Sequence, residues 1–314
     1  LISLILYGLT GVMCYWEHEF SSMIITRLVL GVAMGFISML LIQRGHLYLS
    51  EKKERLFVRT QGLVVGIALM FIVLLSGLLG SYSWNTPFLI YMFAFYPILY
   101  GLWMYVQGIG LHARRVERPS NYFESRRFWM IIVGAFLFVL YMSFYFLQLP
   151  FLVNRLPFTE PMHVSGLLGL LIIIFILGGT FYAPLFHYFR REIIYYVTLI
   201  MIGVGTYLLS VSFDINRVFL SLLIIGSGSG LLFMTAYNSI RYHIPKNVYG
   251  LWKYKLLSSV FLAQILAPTI IYALRGDHFI RLFFMAMSLV VLLLFIIILS
   301  IRLFMRNLDQ RKAA

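Results

Sequence analysis

SMIITRLVLGVAMGFISMLLIQ at residues 22–43, RGHLYLSEKKERLFVR at 44–59 and QGLVVGIALMFIVLLSGLLG at 61–80 decide the fold. A helix needs roughly 20 apolar residues to cross the hydrocarbon core of a bilayer, and the first and third stretches each supply that length. The segment between them holds Arg44, Lys52, Lys53, Arg55 and Arg59. Basic residues collect in loops on the cytoplasmic side, so the pattern sets both a pair of membrane spans and their direction.

Working outward, the pattern repeats along the chain. Spans are expected at about 1–16, 22–43, 61–80, 87–107, 128–152, 164–187, 193–212, 217–240, 251–274 and 279–304. Every second connection is basic: Arg114, Arg115, Arg118, Arg126 and Arg127; Arg190 and Arg191; Arg241, Lys246, Lys253 and Lys255; and the tail with Arg302, Arg306, Arg311 and Lys312. With the first basic loop these hold 20 of the 25 Lys and Arg residues, whereas Arg155, Arg217, Arg275 and Arg281 fall on the opposite side. The reading is a multi-pass protein of the cell membrane whose chain starts and ends in the cytoplasm.

Composition agrees. Hydrophobic residues make up 61% of the 314 and charged residues 11%, too little polar surface to cover a water-soluble globule of this size. Alternating strands of the barrel type are absent from the pattern, which leaves an all-α integral membrane fold. The formal net charge of +14 is a topology signal and a contact with anionic membrane lipids, and a nucleic-acid partner is not expected. The single cysteine, Cys14, excludes an internal disulfide framework and a thiolate metal cluster. No cofactor is expected.

The longest polar interruption, GIGLHARRVERPSNYFESRR at 108–127, reads as a cytoplasmic linker. It separates a bundle of four spans at 1–107 from one of six at 128–304, followed by a tail at 305–314. Transporters are commonly built from two similar bundles. The chain opens on Leu1 with a short first span, and the expectation is ten spans of an original twelve, acting as a monomer.

Few polar groups interrupt the spans. Arg27 lies about five residues, or about 8 Å, into its span, where a guanidinium is costly and cannot deprotonate. The eleven acidic residues all fall in loops or at span ends, so no carboxylate partner for Arg27 is legible. Tyr141, Tyr145 and Gln148 recur at i, i+4 and i+7 on one helical face, and Gln264 stands alone in the ninth span. These four are the candidate substrate-binding residues: an aromatic wall with few orienting polar groups is the usual form of a small-molecule site. Nothing in the spans would bind a cation strongly, which points to a neutral, lipophilic or anionic solute. Gly31 and Gly35, Gly62 and Gly66, and the Gly226, Gly228, Gly230 run are spaced for close helix packing.

An alternative is a ten-span membrane acyltransferase, which needs a base, most often histidine, inside the membrane cavity. The seven histidines all fall in loops or at span ends, and no enzymatic role is expected. A passive channel lacks a charged filter.

Several segments resemble the major facilitator superfamily, taken as its spans three to twelve and closest in style to the drug-efflux branch. Arg27-Leu28-Val29-Leu30-Gly31 with Gly35 is similar to the R-x-x-x-G motif of the fourth span. The loop Ser50-Glu51-Lys52-Lys53-Glu54-Arg55 follows, and the next span closes on Ser76-Gly77-Leu78-Leu79-Gly80-Ser81-Tyr82-Ser83-Trp84. Pro150-Phe151-Leu152-Val153, Pro157 and Ser165-Gly166-Leu167-Leu168 resemble the seventh-to-eighth span connection, and Ala183-Pro184-Leu185-Phe186-His187-Tyr188-Phe189-Arg190-Arg191 the second copy of its G-x-L-x-D-R-x-G-R-R loop. Two departures stand out: Ile72-Val73 replaces the Gly-Pro of the fifth span, and His187 replaces the loop aspartate. The resemblance implies alternating access, with Arg27, Gly31, Gly35, Gly77, Gly80, His187, Arg190 and Arg191 in coupling or gating. It implies efflux of a small lipophilic or amphipathic molecule with protons as the coupling ion; an uptake or symport carrier is the alternative within the family.

Overall fold

The computed structural model describes residues 1–17, 19–48, 51–107, 126–156, 161–243, 249–273 and 279–313; within these, the side chains of 41–48, 51–62, 126–128, 161, 183, 191, 237–243, 249–254 and 301–313 are outside the description. The described chain is helical, with no strand. The elements are α1 (Ile2–Met13), α2 (Phe20–Tyr48), α3 (Glu51–Gly80), a 3₁₀ helix (Thr86–Ala94) running into α4 (Phe95–Val106), α5 (Arg126–Val153), α6 (Pro161–Thr180), α7 (Tyr182–Tyr188), α8 (Arg191–Ser210), α9 (Ile215–His243), α10 (Tyr249–Ala273) and α11 (Phe279–Ala313). Nine stretches among the described residues are long and apolar enough to cross a membrane, and α1 is a shorter apolar helix. Helices keep every main-chain bond inside the segment, which a lipid solvent demands.

All ten expected spans are therefore helical, but prolines interrupt two of them. In the fourth, Pro87 occupies the first turn, where its missing N–H costs nothing. Pro97 cannot donate to the Phe93 carbonyl as an α-helix would require, and the turn before it is tightened: the Phe95 N–H reaches back to Met92. In the sixth, Pro184 removes the donor that would have met the Thr180 carbonyl, and the chain breaks there into α6 and α7.

The chain divides into two compact units. The first comprises Leu1–Val139, Glu160–Ser165 and Ile244–Ala263. In it α1 packs on α2, on the 3₁₀ helix and on α4, and the 3₁₀ helix packs on α3. Gly11 lies directly under the Tyr91 ring, where any β-carbon would collide with it, and a β-carbon on Gly8 would stand 3.3 Å from Ile98 Cδ1. One end of this unit is tied across its loops. Asn85 Nδ2 donates to the Tyr15 carbonyl at 3.0 Å, and Ser83 donates to Asn85 Oδ1 at 2.5 Å.

The second unit comprises Leu140–Thr159, Gly166–His243 and Gln264–Ala314. Here α8 packs on α9 and α11, with Leu199, Ile202 and Val291 in one buried cluster. Tyr145 stacks on Phe284 with ring centroids 5.6 Å apart, both fully buried. The hydroxyls of Thr198, Ser210, Ser221 and Thr235 each donate to a carbonyl one turn back on their own helix at 2.7 Å. Glycines set the helix spacing: a β-carbon on Gly178 of α6 would fall 2.6 Å from the Ser227 carbonyl oxygen of α9, and one on Gly228 would meet Met201 Cβ of α8 at 3.0 Å. The packing expectation holds for the α9 glycines. At Gly31 and Gly35 of α2 no described atom lies within 4 Å of a β-carbon.

Candidate functional site

Arg27 is half-buried on α2, seven residues past Phe20. Its Nη1 donates to the Tyr91 hydroxyl at 3.1 Å. The guanidinium carbon stands 4.6 Å from the Phe88 ring centroid and 5.8 Å from that of Tyr91, within cation–π range. Tyr7 of α1 meets the Tyr91 ring edge-on at 5.5 Å. At an α-helical rise Arg27 lies about 10 Å from the start of α2 and Tyr7 about 9 Å from the end of α1. Tyr91, at the longer 3₁₀ rise, lies about 10 Å from the start of its helix. These three starting points share one end of the unit, since short loops join α1 to α2 and α3 to the 3₁₀ helix. The three polar tips therefore meet at one depth.

Among the described residues Arg27 has no carboxylate partner. Its charge is compensated by ring faces and one phenol oxygen. Gly31 and Gly35 follow at i+4 and i+8 on the same helix, so the strip of α2 leading away from Arg27 carries no side chain and meets nothing within 4 Å. The sequence singled out Arg27 but missed Tyr7, Phe88 and Tyr91. The collision of Gly11 with any larger residue explains how the Tyr91 ring is held.

A second polar cluster lies in the other unit. The Tyr141 and Tyr145 hydroxyls each approach Thr206 Oγ1 at 2.5 Å and also bond to each other. Thr206 spends its only proton on the Ile202 carbonyl at 2.5 Å, which leaves two phenol protons for the three contacts among Tyr141, Tyr145 and Thr206, so two of the three are hydrogen bonds at any one time. Tyr145 and Thr206 are fully buried, and Tyr141 is partly exposed. Gln148, one turn further along α5, is 4% exposed. Gln264 lies on α10 with its side chain exposed, and no described contact joins it to the α5 residues. Thr206 was missed by the sequence reading.

The remaining candidates lie at helix ends. Gly77 and Gly80 form the last turn of α3, where Ser81 N–H donates to the Gly77 carbonyl at 3.2 Å and a β-carbon on Gly80 would make ordinary contact with Pro87 at 3.7 Å. His187 is exposed in the last turn of α7 and meets the Tyr188 ring edge-on at 5.5 Å. Arg190 is exposed in the extended N-cap position of α8; Arg191 opens that helix, and its side chain lies outside the described residues.

Comparison with known families gives one result. The family model described as Major Facilitator Superfamily matches residues 1–252. That stretch includes the whole of the Arg27 cluster, the α5 hydroxyl pair with Thr206 and the α6–α9 contact. A search of curated proteins finds no match.

Proposed function

From the chain's membership of the major facilitator superfamily, and so its nature as a multi-pass membrane transporter, we propose that it moves a small lipophilic or amphipathic solute out of the cell by alternating access, with protons as the coupling ion. The observation that carries this reading is the state of Arg27. A guanidinium at the centre of a membrane span costs about 2.5–3.5 kcal/mol on insertion scales and less toward its end, and among the described residues that of Arg27 is offset by a phenol and two rings alone. Such a charge responds strongly to any group that gains or loses a proton beside it, which is what coupling needs. The Tyr141, Tyr145, Gln148 and Gln264 side chains suit a lipophilic solute, since none of them carries a charge at neutral pH.

The same reading makes 1–107 and 128–304 two bundles joined by a cytoplasmic linker at 108–127. It puts the protein in the cell membrane as a monomer, with both ends of the described chain on the cytoplasmic side. His187, Arg190 and Arg191 then belong to a cytoplasmic loop that participates in gating, with Gly77 and Gly80 at the far end of α3.

The test uses the full-length gene. Inside-out vesicles from expressing cells should accumulate a lipophilic fluorescent dye when respiration acidifies their interior, and a protonophore should abolish the uptake. Equal accumulation in vesicles from cells lacking the gene would overturn the efflux reading. Accumulation that persists after the proton gradient collapses would overturn the coupling.

A further inference from the structure

The Arg27 cluster has more hydrogen-bonding capacity than the described residues use. Of the five guanidinium N–H donors, the described residues engage one. Tyr91 accepts from Arg27, so its own proton is free to donate, and no described residue receives it. Tyr7, whose ring abuts Tyr91, also has no described hydrogen bond at its hydroxyl. The remaining guanidinium N–H groups and the Tyr91 and Tyr7 hydroxyls thus share one depth in the membrane, with no acceptor among the described residues to match them. Phe88 closes one face of the guanidinium. Away from it, the strip past Gly31 and Gly35 carries no side chain and meets no described atom within 4 Å.

We propose that Arg27, Tyr91 and Tyr7 form a binding site for an oxyanion carried on an apolar chain, with the head at Arg27 and the chain along Gly31 and Gly35. A carboxylate or phosphate oxygen is the acceptor this donor set matches, because charge-assisted bonds to guanidinium are about twice as strong as neutral ones. In a low-dielectric setting such a head would also neutralise a cation that has no counter-charge among the described residues. A cationic or neutral head leaves that charge as it stands. The inference rests on the transport reading only for its physiological sense: it names an amphipathic anion as the solute class, while the site itself stands on the Arg27 geometry. Two sources present this chemistry, a free amphipathic acid and an anionic lipid headgroup.

The experiment is equilibrium binding to the full-length protein in nanodiscs of neutral phosphatidylcholine. Radiolabelled decanoate is the probe, with decanol and decyltrimethylammonium as competitors. Decanoate should bind about 10-fold or more tighter than either competitor. Arg27→Gln should abolish that preference. Tyr91→Phe, which keeps the ring packed over Gly11 and removes only the hydroxyl, should reduce it several-fold. Affinity should rise on the order of 3-fold per added methylene from butanoate to decanoate if the chain is buried, and Gly31→Leu should flatten that rise. A wild-type preference for decanoate retained in both Arg27→Gln and Tyr91→Phe would overturn the site.

Adding phosphatidylglycerol separates the two sources. Displacement of decanoate from wild-type protein identifies the lipid headgroup as the occupant, and unchanged decanoate binding identifies the free acid; either result upholds an oxyanion site. Counterflow of decanoate in proteoliposomes separates this site from the transport reading. Arg27-dependent binding without counterflow would remove transport and leave the site, whereas dye efflux with no anion preference would do the reverse.

Discussion

Gly178 on α6 and Ser227 on α9 approach so closely that a single methyl group on Gly178 would fall 2.6 Å from the Ser227 carbonyl oxygen and 2.8 Å from its α-carbon. The obstacle is main chain, which cannot swing aside as a side chain could. Gly178→Ala should therefore separate the two helices and destabilise the protein by about 1–3 kcal/mol, the usual cost of overpacking. Gly134→Ala on α5 is the control, since nothing lies within 4 Å there. It should leave stability unchanged or raise it by up to about 1 kcal/mol through helix propensity. Thermal unfolding of the two purified variants gives the comparison, and equal losses would refute the close-contact explanation.

The shared acceptor in the α5–α8 cluster makes Thr206 more consequential than either tyrosine. Tyr145→Phe removes one donor and should cost about 0.6–1.7 kcal/mol, the range of hydrogen bonds between membrane helices. Thr206→Val strips the shared acceptor from the buried Tyr145 phenol and the partly exposed Tyr141 phenol and should cost more, because an unsatisfied buried group loses about 1–3 kcal/mol. Adding Tyr141→Phe and Tyr145→Phe to Thr206→Val should recover part of that loss. A triple variant less stable than Thr206→Val alone would contradict the arrangement.

Cys14 is fully buried, with Sγ 3.4 Å from Thr26 Oγ1 and 3.5 Å from the Thr10 carbonyl. As the single cysteine of the sequence, it reports on the α1–α2 contact by itself. A thiol-reactive fluorogenic maleimide should react slowly with native protein and sharply on heating through the unfolding transition. Rapid labelling of folded protein at room temperature would show that α1 detaches from α2.

Asn85 fastens the loop after α3 to the end of α1 through the Tyr15 carbonyl. Asn85→Ala should cost about 0.5–1.5 kcal/mol, the net worth of one such hydrogen bond, and should raise amide hydrogen exchange in the last turn of α1. Exchange limited to the loop around residue 85 would show that the bond does not hold α1.

The fold was readable because the bilayer allows few alternatives. Span length, apolar composition and the distribution of Arg and Lys are one-dimensional properties, and all ten spans are helical where they were expected. The interruptions at Pro97 and Pro184 needed knowledge of which carbonyl lost its donor. The site was less accessible. Arg27 announced itself as a charge in an apolar run, but its partners Phe88 and Tyr91 lie more than sixty residues away on a 3₁₀ helix. The three-residue turn there presents a different face from the α-helix assumed for residues 87–107. Thr206 gave no signal, since a lone threonine in a span usually bonds its own helix, as Thr198 and Thr235 do. Glycine spacing proved ambiguous in itself. The same small-residue pattern marks tight packing on α9 and a strip with no described neighbour within 4 Å on α2, and only the neighbours distinguish them.

A guanidinium fixed about 10 Å along a membrane helix also lies within the electric field across the bilayer. Carrying one elementary charge through the whole potential amounts to about 2.3 kcal/mol per 100 mV. Spread over a core of about 30 Å, that is about 0.08 kcal/mol for each ångström Arg27 moves along the membrane normal. Any conformational step that shifts α2 in that direction is thereby voltage-sensitive, even with an uncharged solute aboard.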